Sequence, residues 1–300
     1  MLSRPPNPID SDRFVRAGLL TAEAQRTQRK TVRGAQTVGN MSYETLIYEA
    51  AGEIATITLN RPEKRNAIST QMIEELVAAL DEAENGPARV VIITGAGKAF
   101  CSGMDLDGLR AIAAQSPHEN MEDSRRMANL FLRIYGFPKP VVSAVNGAAI
   151  AGGCGIATLA DFTIAAPEAK FGYTEVRIGF IPALVSVFLR RQVGEKIARD
   201  LLLSGRIIEA AEAQRLGLVA EIVAADSLLR RAREIAESLL ASSPTSIART
   251  KRLLLKASEQ DLLLEIEQAV RENADIRSTH DFREGLSSYL EKRRPKWTGH

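Results

Sequence analysis

The chain reads as an α/β protein with an all-helical final third. Between residues 43 and 227, short continuous apolar runs such as Val90-Val91-Ile92-Ile93 and Val141 to Val145 alternate with helical periodicity. Runs of that kind suit strands covered on both faces, and their alternation with helices favours crossover connections. From Leu228 to Leu290 nearly every segment has helical spacing instead. The 300 residues, 45% hydrophobic and 25% charged, suffice for a large buried core.

Residues 1–40 carry Arg4, Arg13, Arg16, Arg26, Arg29 and Arg33, early prolines and little apolar periodicity. Asp10, Asp12 and Glu23 argue against an organelle transit peptide, so this stretch reads as a disordered or mis-annotated extension, with Met41 as a plausible start. Tyr43 to Ala50 and Glu53 to Asn60 form a hairpin pattern around Ala51-Gly52. Ser69 or Thr70 caps a helix over Gln71 to Glu84, which Asn85-Gly86-Pro87 breaks. After the Val90 strand and a Gly95-Ala96-Gly97 turn, helices are expected over Asp105 to Ala114 and Glu119 to Tyr135. The Val141 strand leads through a glycine-rich turn into a helix from Gly152 to Leu159. A strand over Phe162 to Ala165 and a helix over Val185 to Val193 complete the core. The tail divides into helices over Leu228 to Leu240, Pro244 to Lys256, Leu262 to Asn273 and Thr279 to Lys292. The organisation is thus an extension (1–40), an α/β core (41–227) and a helical region (228–300). Whether that region completes its own core or packs on a neighbouring subunit stays open.

Several function classes are disfavoured. A net charge of +2 gives no strong pull toward nucleic acid or acidic lipid. No apolar run approaches the roughly 18–20 residues of a membrane helix. Cys101 and Cys154 form no C-x-x-C pair, and His118, His280 and His300 have no metal-site spacing. Two thiols without a secretory signal fit a reducing compartment, and a cytoplasmic location is expected. Gly147 to Gly152 has phosphate-loop spacing, but Gly153 and Cys154 replace the required Lys and Ser/Thr. A dinucleotide fingerprint and a serine nucleophile elbow are also lacking.

Two segments carry the chemistry. Gly97-Lys98-Ala99-Phe100-Cys101-Ser102-Gly103-Met104-Asp105-Leu106 lies between a strand and a helix. Gly103 permits a sharp turn there, and Asp105 can cap the helix. Val145-Asn146-Gly147-Ala148-Ala149-Ile150-Ala151-Gly152-Gly153-Cys154 follows a strand and opens a helix. Small residues leave the first N–H groups of that helix uncovered, where the dipole favours negative charge.

These segments, in this order and about fifty residues apart, resemble the oxyanion-hole signatures of the crotonase superfamily, the enoyl-CoA hydratase/isomerase family. The resemblance runs from about Ser42 to the C-terminus. It includes Leu59-Asn60-Arg61-Pro62, Arg65-Asn66-Ala67, Ala169-Lys170-Phe171-Gly172, Ile178-Gly179-Phe180-Ile181-Pro182 and Glu291-Lys292-Arg293. It implies a crotonase-like β/α spiral core, a helical oligomerisation region, and trimers often paired into hexamers. It further implies an acyl-CoA thioester substrate whose carbonyl oxygen meets the N–H groups of Met104 and Gly152. Lys64, Arg65, Asn66 and Ala67 would lie along the CoA arm, and Lys292 of a neighbouring subunit would reach a CoA phosphate. No cofactor is implied, since coenzyme A is part of the substrate.

The resemblance departs at one point. The family's hydratases place two glutamates across the substrate double bond; Glu175 matches the later one, but Gly155 stands at the earlier. Hydration needs both a base for water and an acid for the α carbon, whereas double-bond migration needs one shuttling carboxylate. The sequence therefore leans slightly toward isomerisation, with a hydratase of the 2-enoyl or methylglutaconyl type as the alternative. A replacement acid could come from Glu119, Glu122 or Asp123. In a lipid-like pocket the Glu175 carboxyl should titrate nearer neutrality; otherwise it would be a surface partner of Arg177 or Lys170. Cys101 and Cys154 read as packing residues. A non-catalytic acyl-CoA-binding or RNA-binding relative remains a further class, the latter resting on Arg249, Lys251, Arg252 and Lys256.

Overall fold

A computed structural model describes residues 42–112 and 115–300. The expected extension over 1–40 and residues 113–114 of the expected first middle helix lie outside the described residues.

The hairpin is formed by strands β1 (Leu46–Ala51) and β2 (Ile54–Leu59). Helix α1 (Thr70–Asn85) starts at Ser69, whose side chain accepts a hydrogen bond from the Met72 N–H at 3.2 Å. Strands β3 (Val90–Gly95) and β4 (Ala99–Cys101) are followed by helices α2 (Leu106–Ile112) and α3 (Pro117–Tyr135). Then come β5 (Val141–Val145), β6 (Ala148–Ile150) and helix α4 (Gly152–Thr158). Strands β7 (Phe162–Ala165) and β8 (Lys170–Gly172) precede helix α5 (Ala183–Ser204), which is broken at Gly194. After β9 (Ile207–Glu209), α6 (Ala210–Arg215) and β10 (Glu221–Ile222) come four helices: α7 (Leu228–Leu240), α8 (Pro244–Lys256), α9 (Glu259–Asp275) and α10 (His280–Leu290).

The strands sort into two sheets, ordered β1-β2-β3-β5-β7-β10 and β4-β6-β8-β9. Among the described residues, only the β1/β2 and β8/β9 pairs are antiparallel. The chain alternates between the sheets, β3 to β4, β5 to β6 and β7 to β8, so each turn of a spiral adds one strand to each. The short strands of the second sheet lie where the sequence reads as glycine turns. Too brief to show a period, they are specified by backbone fit. A Cβ on Gly147 would overlap the Lys98 carbonyl oxygen, so the β5–β6 corner rests directly on the β3–β4 corner. Asn146 ties the same corners: its Nδ2 donates to Gly97 O at 2.9 Å, and its Oδ1 accepts from the Gly95 N–H at 3.3 Å.

The final helices contribute to this chain's own core. Leu228, Ala232 and Ala236 of α7 pack on Val90, Ile92, Val142, Ala144 and Ile164 of the first sheet. Leu262, Ile266, Ala269 and Val270 of α9 join the main core. Helix α8 buries none of its residues, and Leu253 and Leu254 on it are exposed. Lys251 is turned inward, where its Nζ meets the Asp161 carboxylate and donates to Lys139 O at 3.0 Å. That removes the middle of the basic cluster on which RNA binding would rest.

Substituting Gly147→Ala is expected to cost about 1–3 kcal/mol of folding stability by overpacking a backbone contact. Urea denaturation of the variant beside the wild type measures it.

Candidate active site

Met104 and Gly152 come together through Ile68. Ile68 forms an isolated parallel bridge with Met104, in which the Ile68 N–H donates to Gly103 O at 2.8 Å and the Asp105 N–H donates to Ile68 O at 3.0 Å. Along an extended strand successive N–H groups face opposite edges, so the Met104 N–H is turned away from Ile68. Gly103 has φ of +84°, and a Cβ there would stand 3.0 Å from Ile150 O and 3.1 Å from the Ala151 methyl. The two turns are therefore in direct contact, and only glycine fits between them.

Helix α4 opens at Gly152 from Ala151, whose φ of +50° is left-handed. The first helix donors with carbonyl partners are Cys154 and Gly155, both onto Ala151 O at 2.9 and 3.2 Å. Gly152 and Gly153 thus stand ahead of the helix ladder, with N–H groups of the kind that attract negative charge. A Cβ on Gly152 would lie 3.2 Å from Ile68 Cδ1, which places Ile68 between both turns.

A cavity of about 470 Å³ takes in Met104, Gly152 and Glu175 together with Lys64, Arg65 and Ala67. Asn66 is not on its wall. Arg65 and Asn66 both have left-handed backbone, with φ of 53° and 54°. This turns the Asn66 amide into the protein, where Nδ2 donates to Ala96 O at 2.9 Å and Ala99 O at 2.8 Å, and Oδ1 accepts from the Arg61 N–H at 2.8 Å. Asn66 holds the shape of the turn rather than lining the site. Arg61 joins this turn to the next: it donates to Ala67 O at 2.6 Å and to Asp105 Oδ2 at 2.7 Å, and Lys64 meets the same carboxylate at 3.5 Å. Lys292, left-handed just past the end of α10, is not on the cavity wall of its own chain.

Glu175 begins a short 3-10 turn (Glu175–Ile178) and is only 8% exposed. Its Oε2 is buried without a hydrogen-bond partner. Burial pushes its carboxyl up to about 7, against a smaller lowering from a backbone hydrogen bond. The ion-pair alternative fails for Lys170, which pairs with Glu209 at 3.3 Å. Burial likewise pushes the thiols of Cys101 and Cys154 up to about 12, so both are inert packing groups at neutral pH.

The position of the earlier family glutamate is filled with hydrocarbon. A Cβ on Gly155 would lie 2.8 Å from Phe131 Cζ and 2.9 Å from Val185 Cγ1. Of the three acids weighed as replacements, Glu119 is spent in a capping box with Ser116, and Glu122 pairs with Arg125 at 3.0 Å in solvent. Asp123 alone of these reaches the cavity, where Asn273 and Arg277 accompany it. The sequence reading missed Asn273 and Arg277, because polar residues near a helix end resemble an ordinary solvated face. Roughly 150 residues separate them from Asp123.

The sequence profile of the enoyl-CoA hydratase/isomerase family matches residues 49–300. The chain belongs to this family. A Thermus thermophilus relative provisionally named enoyl-CoA hydratase is 45% identical over 247 residues, 82% of this chain and 98% of that protein. The crotonyl-CoA hydratase of Syntrophomonas wolfei is 34% identical, covering 85% of this chain and 98% of its own length. The crystal structure of an enoyl-CoA hydratase/isomerase from Xanthobacter autotrophicus Py2 superposes with a TM-score of 0.78 at 34% identity, over 84% of this chain and 98% of that one. The crotonase-type spiral is therefore the fold of this enoyl-CoA hydratase/isomerase family member, and it is an enzyme. The names of these relatives favour hydration over the isomerisation toward which the sequence leans.

Glu175 is protonated in the folded protein at pH values where the unfolded carboxyl, near 4.3, is already ionised. The folded state then binds more protons, so this group's contribution to stability falls as pH rises from about 4.5 to 7 and stays lost above. Glu175→Gln should therefore gain stability relative to the wild type across that window, reaching about 3–4 kcal/mol at pH 8, as read by urea denaturation at several pH values. Gly155→Glu should cost at least about 1–3 kcal/mol through overpacking against Phe131 and Val185, as read by urea denaturation.

Proposed function

We propose that this chain hydrates a 2-enoyl-CoA with one carboxylate, Glu175. The observation that carries the reading is the burial of Glu175, one oxygen unpartnered, in a cavity shared with Met104 and Gly152. The Met104 and Gly152 N–H groups donate to the thioester oxygen, which makes C3 electrophilic and stabilises the resulting enolate. Ionised Glu175 accepts a proton from a water as its oxygen bonds to C3. The same carboxyl then gives that proton to C2 of the enolate. One water is added across the double bond, and Glu175 returns to its starting state. A carboxyl poised near neutrality suits both halves of this exchange. No cofactor takes part, and coenzyme A enters as part of the substrate.

Lys64, Arg65 and Ala67 receive the CoA arm on this reading, while Asn66 sets their turn. The working assembly is a homotrimer or a dimer of trimers in the cytoplasm, with Lys292 of a neighbouring subunit near a CoA phosphate. The exposed Leu203, Leu253 and Leu254 support the assembly. Neither a membrane nor a nucleic acid is a partner.

A second reading, isomerisation of a 3-enoyl-CoA, is favoured by the hydrocarbon at the Gly155 position. There Glu175 would take a proton from C2 and return it to C4.

A paired assay decides. Purified wild type and Glu175→Gln each receive a 2-enoyl-CoA and a 3-enoyl-CoA, and products are identified by mass. Addition of water to the 2-enoyl substrate, reduced about 10²–10⁴-fold in the variant with CoA binding retained, is the expected result. Double-bond migration without water addition would replace it with the isomerase reading. Full activity in the variant would remove Glu175 from the mechanism.

A further inference from the structure

The cavity wall is not apolar throughout. Helix α3 brings Asp123 to it, and the end of α9 with the 3-10 turn after it brings Asn273 and Arg277. All three are buried, Arg277 to 4% exposure. The Arg277 Nη2 pairs with Asp123 Oδ2 at 2.9 Å and donates to Asn273 Oδ1 at 2.9 Å. Its Nε donates to Asn273 O at 3.1 Å, and its Nη1 donates to Asn120 Oδ1 at 3.2 Å. A guanidinium carries five N–H groups, so a second N–H on Nη1 is left over.

Asn273 adds donors. Its Oδ1 accepts from Ser124 Oγ at 2.7 Å as well as from Arg277, which fixes the amide orientation and turns Nδ2 away from both. The charge balance leans the same way. Asp123 also meets Arg126, which lies off the cavity wall, at 3.5 Å, so its negative charge is shared between two guanidinium groups. An alkyl chain laid against such a wall would desolvate charge and N–H donors and return nothing for it. A carboxylate would supply the missing acceptor and the missing negative charge together.

We propose that the Asp123–Asn273–Arg277 cluster receives a carboxylate at the far end of the acyl chain, so that the substrate is a CoA thioester of a dicarboxylic acid. This rests on the reading that the cavity takes acyl-CoA.

Binding of saturated thioesters tests it without any reaction. Calorimetric titration of the full chain would compare glutaryl-CoA with pentanoyl-CoA and adipyl-CoA with hexanoyl-CoA, pairs that differ only in a terminal carboxylate or methyl. At one of the two lengths the carboxylate ligand should bind at least about tenfold tighter, the scale of one charge-assisted hydrogen bond. Asp123→Asn, which removes the competing negative charge without changing shape, should widen that ratio. Asn273→Leu should narrow it while leaving the alkyl ligand within about threefold of wild type, a change below one neutral hydrogen bond. Equal or tighter binding of the alkyl partner at both lengths in the wild type overturns the proposal and leaves the acyl-CoA reading standing. Failure of all four thioesters to bind overturns both.

Discussion

Gly147 lets one corner of the spiral lie backbone-on-backbone over the previous one, and Asn146 bonds the two together. The second sheet exists because of that approach, and the site is built from the turns at the ends of its strands. Strand β4 leads to Gly103 and Met104, strand β6 to Ala151 and Gly152, and strand β8 to Glu175. Each spiral turn thus delivers one of these residues to the same cavity. Any loosening between corners would move N–H donors whose usefulness depends on fractions of an ångström.

The chemistry of the cavity is set by where water and counter-charge are withheld. Asp105 is surrounded by Arg61 and Lys64 and is held as a structural anion between two turns. Glu175 lacks any such partner and is poised near neutrality by burial. The same burial silences the two cysteines beside the glycine turns, because a thiol gains its reactivity from the charge that burial suppresses.

Much of this was legible in the residues. The long strands, the helices with Ser69, Pro244 and Thr279 at their starts, and the glycine runs at 103 and 152 carry local signals that survive folding. The strands of three residues in the second sheet do not, since no periodicity fits in that length and their specification lies in distant backbone contacts. Glu175 could be located by its spacing from Phe171-Gly172, but its isolation from Lys170 depends on β9 presenting Glu209. Asn66 could be placed at the right turn yet not given its inward direction, which comes from two successive left-handed residues. Asn273 and Arg277 were beyond reach because their meeting with Asp123 is purely tertiary.

The filling of the Gly155 site limits which substitutions the chain can accept. Phe131 comes from one helix and Val185 from another, and both close on the same point. A glutamate introduced there would meet two side chains already in place, so accommodating it needs coordinated replacement on three elements of the spiral. The two-carboxylate arrangement is therefore several concerted replacements away from this chain, and single substitutions are left to act through the rest of the cavity wall.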